Sequence, residues 1–350
     1  MEFLEDEGME RYRHLGRLGG GAFGDVRWGV DTHSGAKVAL KYVRVMTQGG
    51  QGGGNGVPKA VFREMESLRQ LDDHSRVVKL LDVYPEENNL CLVLEYLPSD
   101  LGEVISNAKA FLPIAKVKAF AWMLLDALQY IHSHCIIHRD IKPSNLLLTM
   151  DGQLKLGDFG LARVILSQEE HKSLSHQVAT RWYRPPELLF ASHSYTFSAD
   201  VWSAGVVIAE LMTLRPLFPG INDIDQMFRV FQVLGSPTPE AWPGVERLPD
   251  YSKVSFPDLV PVDLQLLVPN VEKPDVDFLR HMIRLSPETR TTASRLCSSE
   301  YFKMPPLPAQ MLAEVVPERK LILAANRMKV PETKALDSRE KVEEMLESYF

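Results

Sequence analysis

The chain has little cysteine. Cys91, Cys135 and Cys297 are its three, far apart and with no C-x-x-C pair. That pattern argues against a disulfide framework, a metal site or a redox pair, and fits structural thiols in a reducing compartment. No window of about eighteen apolar residues occurs, so no segment is expected to span a membrane. The acidic opening, Met1-Glu2-Phe3-Leu4-Glu5-Asp6-Glu7, has neither the basic start nor the apolar run of a secretory signal. Glu2 stands where N-myristoylation requires glycine, and Glu347-Ser348-Tyr349-Phe350 is no prenylation box. Positive charge is also in deficit. Lys and Arg number 39 against 46 Asp and Glu, and the formal net charge of -7 speaks against nucleic acid as the main ligand. These absences lead to the expectation of a protein that is cytoplasmic, nuclear or both, engaging neither nucleic acid nor membrane.

With 350 residues, 45% hydrophobic and 24% charged, the chain has the size and makeup of two globular domains or one large bilobed unit. Its first hundred residues read mainly as strands, at 12–18, 25–30, 36–43, 77–83 and 89–96. A helical run at 59–71 interrupts them, with Val61, Met65, Leu68 and Leu71 at three- and four-residue steps. The glycine-rich stretch 48–56 before it reads as a loop. From about Leu101 the pattern turns helical. Val117, Phe120, Leu124, Leu128 and Ile131 form one stripe along 114–134, and 199–214 is apolar around most of its circumference, as in a buried central helix. Pro237, Pro239, Pro243 and Pro249 punctuate an irregular stretch, and Pro305-Pro306-Leu307-Pro308 ends the folded body. In the tail, Val342, Met345, Leu346, Tyr349 and Phe350 keep helical spacing behind a capping-box pair, Asp337 and Glu340, which predicts an amphipathic helix.

The densest chemistry lies in His138-Arg139-Asp140-Ile141-Lys142-Pro143-Ser144-Asn145 and in Asp158-Phe159-Gly160. The spacing H-R-D-x-x-x-x-N with D-F-G after it suits phosphoryl transfer. Asp140 is the candidate base for an attacking hydroxyl, Lys142 offsets charge on the transferring group, and Asn145 and Asp158 are candidate Mg²⁺ ligands. His138 and Arg139 read as structural, one orienting the loop and one supplying fixed positive charge. Upstream, Gly19-Gly20-Gly21-Ala22-Phe23-Gly24-Asp25-Val26 fits G-x-G-x-x-G-x-V, where glycine lets backbone amides approach phosphate oxygens. Rossmann folds share part of this pattern, but a strand rather than a helix follows Gly24, which disfavours a dinucleotide oxidoreductase. Lys41, in Val38-Ala39-Leu40-Lys41, lies within a strand at the spacing of a phosphate-contacting lysine. Glu64 is its candidate ion-pair partner, with Glu66 competing.

The order of these motifs, completed by Pro185-Pro186-Glu187, resembles the eukaryotic protein kinases from about Tyr12 to Phe302. Among them the chain is similar to the cyclin-dependent kinases: residues 56–64 stand where that family has its cyclin-contacting helix, and Val178-Ala179-Thr180-Arg181-Trp182-Tyr183-Arg184 resembles its substrate-binding loop. Residues 248–256, 305–308 and 176–184 most resemble the cell-cycle-related kinase branch. The resemblance implies an α+β, bilobed protein-kinase fold. After an extension, 1–11, come a small β-rich N-lobe with one main helix, 12–96, a hinge and larger mostly helical C-lobe, 97–302, and a tail, 303–350. It implies ATP and Mg²⁺ as cofactors and protein substrates with Ser/Thr-Pro sites.

Residue by residue, the resemblance assigns Asp140, Lys142, Asn145 and Thr180 to catalysis. Residues 19–26, Lys41 and Glu64 go to the phosphates, and Leu18, Val26, Ala39 and Leu147 to the faces of the base. Leu94 becomes the gatekeeper, and Glu95 and Leu97 supply backbone groups to adenine. Asp200 would hold the catalytic loop, Glu187 would pair with Arg290, and Arg184 would shape the pocket for the substrate proline. Arg63, Arg139 and Arg163 match basic residues that converge on a phosphorylated activation-loop residue, here Ser175, with Ser173 a close rival. The implied partners are a cyclin or cyclin-like activator and an upstream activating kinase, with a role in the cell cycle or in a cilium or flagellum. Ala22-Phe23 replaces the family's inhibitory Thr-Tyr pair, so inhibition by phosphorylating that loop is not expected. A pseudokinase scaffold is the alternative, disfavoured because Lys41, Asp140, Asn145 and Asp158 are all present. Tyrosine specificity is disfavoured by Lys142.

Overall fold

The computed structural model describes residues 11–21, 24–44, 59–71, 73–86, 89–165, 180–194, 196–317 and 322–323. It divides into a strand unit, Met1–Asp72 with Val78–Leu97 and Arg319–Phe350, and a helical unit, Asp73–Val77 with Pro98–Glu318. Ala22, Phe23, the glycine-rich stretch 48–56, Ser173, Ser175 and the expected tail helix lie outside the described residues.

The strand unit is built on β1 (Tyr12–Gly21), β2 (Gly24–Asp31), β3 (Lys37–Arg44), β4 (Leu80–Glu86) and β5 (Asn89–Glu95), all antiparallel to their neighbours, with α1 (Lys59–Gln70) between β3 and β4. Alternation along β3 sorts its side chains onto two faces. Val38, Leu40 and Tyr42 join Tyr12, Tyr84, Cys91 and Val93 in one buried cluster. Val43, on the other face, packs with Val61 and Met65 of α1 and with Leu90 and Leu92 of β5. Lys41 shares Val43's parity and so faces α1. Sequence alternation gives β1, β2, β3 and β5 nearly as found; Val77, read as opening a strand at 77–83, instead bridges Leu156 in the helical unit, and β4 begins at Leu80.

The helical unit begins with β6 (Ser99–Asp100) and α2 (Leu101–Asn107), whose cap Asp100 accepts from the Glu103 N–H at 3.0 Å. Then come α3 (Ile114–Ser133), β7 (Ile136–Ile137), β8 (Leu146–Leu148), β9 (Leu154–Leu156), β10 (Arg163–Val164), α4 (Pro186–Leu189), α5 (Ser198–Thr213), α6 (Asp223–Leu234), α7 (Lys273–Arg280) and α8 (Ala293–Cys297). The predicted stripe of α3 is buried throughout, and α5 is buried from Ala199 to Met212. Gly205 lets α5 be approached closely: a Cβ there would lie 2.8 Å from Met282 Cβ and 3.0 Å from Ile283 Cγ1. The proline-punctuated stretch holds only short 3₁₀ turns, at Val245–Arg247 and Tyr251–Lys253. Among the described residues no helix is long and apolar enough to cross a membrane. Cys91 and Cys297 are buried, and Cys135 is half-buried. Last among the described elements, β11 (Ile322–Leu323) joins the strand unit beside β1, an element with no expectation in the sequence.

Candidate active site

In the strand unit, Lys41 Nζ lies 2.7 Å from both carboxylate oxygens of Glu64. Both side chains are buried, at 10% and 3% exposure, so each charge depends on the other for compensation. Glu66 is exposed, which decides between the two candidate partners. The glycines Gly19–Gly21 extend β1 and face Val26, Asp25 and Gly24 of β2. A Cβ at Gly19 would meet no atom within 4 Å, so the backbone there is open to a ligand. The Asp25 side chain is engaged by Arg17 at 2.7 Å and Arg27 at 2.9 Å. Burial works against its charge, but the hydrogen bonds from Arg27 and Arg17 prevail and hold the carboxyl below its usual range. Leu18, Val26, Ala39 and Leu94 belong to neither buried cluster and stay half-buried. Ala39 faces Leu94 in the ladder. Glu95 turns its carboxylate to the Lys79 N–H at 2.8 Å, and Leu97 is buried.

In the helical unit, three residues converge on the Asp140 carboxylate. Lys142 Nζ donates to Oδ2 at 2.7 Å and Asn145 Nδ2 to Oδ2 at 3.0 Å. Thr180 donates to Oδ1 from its N–H at 3.1 Å and its hydroxyl at 3.2 Å. Asn145 Nδ2 also donates to the Asp140 carbonyl at 2.9 Å, so both amide hydrogens are used and Oδ1 is left as the donor atom for a cation. The Gly157 N–H bonds the Asn145 carbonyl at 2.9 Å and ties the D-F-G turn to this loop. Asp158 has left-handed backbone, φ 59°, a conformation retained at functional turns despite its cost. Beside it, Phe159 is fully buried and meets the His138 ring edge-on at 4.9 Å. Leu147 is half-buried between buried Leu146 and Leu148.

The loop is held from beneath. His138 Nε2 faces the Gly157 carbonyl at 2.9 Å, and a carbonyl only accepts, so Nε2 carries the proton. Nδ1 is then free to accept the Asp140 N–H at 3.3 Å. Asp200, fully buried in α5, accepts the His138 N–H at 2.9 Å, the Arg139 N–H at 2.8 Å and His132 Nε2 at 3.0 Å. Burial opposes the Asp200 charge, yet the His132 bond and the neighbouring donors hold its pKa below the ordinary carboxylate value. His132 was not singled out in the sequence; only its place in the last turn of α3, ahead of His138, hinted at it. Tyr183 stands in the sequence only as part of the loop motif 178–184, with no role of its own. Its hydroxyl donates to buried Glu210 at 2.8 Å, and burial raises the pKa of both.

Around this centre, Arg290 makes a two-pronged bond to Glu187 at 2.7 Å on each side, with both side chains almost wholly buried. Arg184 and Arg181 reach Asp223 at 3.3 and 2.8 Å, and burial lowers the Arg184 pKa. Of the three arginines expected at a phosphate, Arg139 donates Nε to the Leu161 carbonyl at 2.6 Å, Arg163 lies on β10 opposite Ile137, and Arg63 lies on α1 of the strand unit.

A strand unit with a lysine–glutamate pair and an open glycine strand, and a helical unit with an anchored Asp140 loop, are the parts of a phosphotransferase. Residues 12–302 match the protein kinase domain, and the chain belongs to that family. It is a serine/threonine protein kinase of the cyclin-dependent type, with the expected β-sheet N-lobe and helical C-lobe. Cyclin-dependent kinase 20 of Danio rerio is 40% identical over 329 residues, covering 94% of each chain. The Homo sapiens protein of the same name is 40% identical over 311 residues, covering 89% of this chain and 88% of its own. A chain in the solved CAK complex of Chaetomium thermophilum bound to ATP-gamma-S is 35% identical, with a TM-score of 0.77, over 89% of this chain and 96% of that one.

Proposed function

We propose that the chain transfers the γ-phosphoryl group of ATP, with Mg²⁺, to Ser or Thr hydroxyls followed by proline in protein substrates. The observation that carries this reading is the convergence of Lys142, Asn145 and Thr180 on one buried carboxylate, Asp140. In this reading Asp140 orients the substrate hydroxyl and accepts its proton, while Lys142 places its charge beside the transferring group. Asn145 Oδ1 and the Asp158 carboxylate are hard oxygen donors of the kind Mg²⁺ takes, and a bound Mg²⁺ would neutralise phosphate charge. Lys41, oriented by Glu64, would hold the α- and β-phosphates, and the open backbone at Gly19 leaves room for them. The solved relative bound to ATP-gamma-S supports the nucleotide.

The same reading extends to control. Phosphorylation of Ser175 by an upstream kinase would recruit Arg63, Arg139 and Arg163 and order the activation segment. Arg184 would shape the pocket for the substrate proline. The relatives' name, and the residues standing where the family contacts cyclins, support a cyclin or cyclin-like activator. Cytoplasmic or nuclear residence, and work in the cell cycle or at a cilium, complete the proposal. Replacing Asp140 with Asn tests its chemistry: phosphorylation of Ser/Thr-Pro peptides is expected to fall by about 10³ or more while ATP still binds. Near wild-type turnover in that variant, or an array showing no preference for proline, would refute the assignment.

A further inference from the structure

Among the described strands, β1 is flanked by β2 on one side and on the other by the chain's own tail. Leu323 of β11 faces Gly16 and Ile322 faces Arg17, antiparallel. In such a pair one facing couple exchanges both N–H···O bonds and the next exchanges none. The place of contact matters because β1 pairs irregularly with β2. Its register shifts between His14 and Gly16 and again between Arg17 and Gly19, leaving Leu15 and Leu18 without facing partners. Gly16 and Arg17 are the stretch between those shifts, and these are the residues β11 covers. Bulges re-aim side chains and disrupt the ladder locally. Leu18 sits in the second one, directly before the open backbone of Gly19. The tail also follows a fixed path within the helical unit. Lys118 Nζ donates to the Tyr301 and Met304 carbonyls at 3.2 and 3.0 Å, the Ala309 N–H bonds Ala115 O at 2.8 Å, and Leu312 and Val316 are buried.

We propose that β11 is a positioning element for nucleotide binding. By pairing with the bulged stretch of β1, it fixes the direction of Leu18 and of the glycine backbone, so its presence raises nucleotide affinity. This rests on the ATP-binding reading above. The occupant of the β1 edge is this chain's own tail, and an unpaired edge would otherwise be open to a strand from elsewhere.

The test compares the full-length chain with the double variant Ile322→Pro/Leu323→Pro, which removes whichever amide donates to β1. Hydrogen exchange at Gly16 and Arg17 and the affinity for a fluorescent ATP analogue are measured on both, with the melting midpoint as a check that the body stays folded. The variant is expected to lose protection at whichever of Gly16 and Arg17 donates to β11 and about tenfold in nucleotide affinity, the worth of one or two ladder hydrogen bonds, with peptide KM unchanged. Unchanged affinity despite lost protection, or unchanged protection, would overturn the proposal. Protection in the wild type that rises with protein concentration would give the edge to a second copy and overturn it too. A wild-type chain that binds no nucleotide would instead bring down the kinase reading beneath it.

Discussion

Asp200 gives the catalytic loop its shape, and replacing it with Asn isolates that role because the side-chain volume is kept. The carboxylate takes three donors at 2.8, 2.9 and 3.0 Å, from Arg139, His138 and His132. An amide is neutral and offers only one oxygen, so all three donors lose the charged acceptor and at least one of them faces the new NH₂. A hydrogen bond to a charged group contributes about 1.5–3 kcal/mol, and a buried donor left unmade costs about as much. The loss bears on a backbone held at φ 69° at Arg139, a costly conformation that the Asp200 anchor helps to hold. Taking ~2–3 kcal/mol as the net effect on loop geometry, the competent conformation falls by about 30- to 150-fold. In kinase assays with saturating ATP and peptide, kcat should drop by about that factor. The KM for ATP should stay within about threefold, because the change is made in the helical unit while Lys41, Glu64 and the glycine strand belong to the strand unit. The melting midpoint should fall by roughly 4–12 °C. A kcat within twofold of wild type, or a rise in ATP KM with kcat intact, would refute the account of Asp200 as the anchor.

The pH dependence of the same pair of proteins carries a sign. The Asp200 pKa is lower folded than its ordinary 3.8, so its contribution to stability is present above about pH 4 and is lost as pH falls through the folded value. The gap in urea-unfolding free energy between wild type and Asp200→Asn should therefore narrow in acid, and a constant gap from pH 7 to pH 3 would count against it. Arg290→Met leaves Glu187 charged, buried and alone, and should destabilise the fold by about 3–5 kcal/mol in denaturant titrations. Arg290→Lys should recover less than half of that loss, since an ammonium cannot make the two-pronged contact with both Glu187 oxygens; full recovery would mean that charge alone matters there.

The candidate site was legible because Asp140, Lys142 and Asn145 crowd into one short loop, where few other chemistries use those residue types at that spacing. The strand unit was legible through alternation, which put Lys41 on the α1 face; it could not separate Glu64 from Glu66, which packing then did. His132 was hidden because its importance comes from Asp200, far along the chain, and a histidine in the last turn of a helix has many ordinary uses. Val77 reads as strand by residue type, and only its bridge to Leu156 draws it away. A two-residue strand such as β11 has no period to detect, so nothing in Ile322-Leu323 announces it.

The unequal burial of the thiols has a practical consequence. Only the thiolate attacks an alkylating reagent. Burial pushes Cys91 up to about 12 and Cys297 up to about 11, so neither offers much thiolate at neutral pH. Cys135 is half-buried at the bend between α3 and β7, just ahead of His138, and its carbonyl takes the Ile165 N–H at 2.8 Å. A maleimide dye should thus attach at one native site, with no engineered cysteine. Its emission would follow the segment between α3 and the catalytic loop in the unaltered protein.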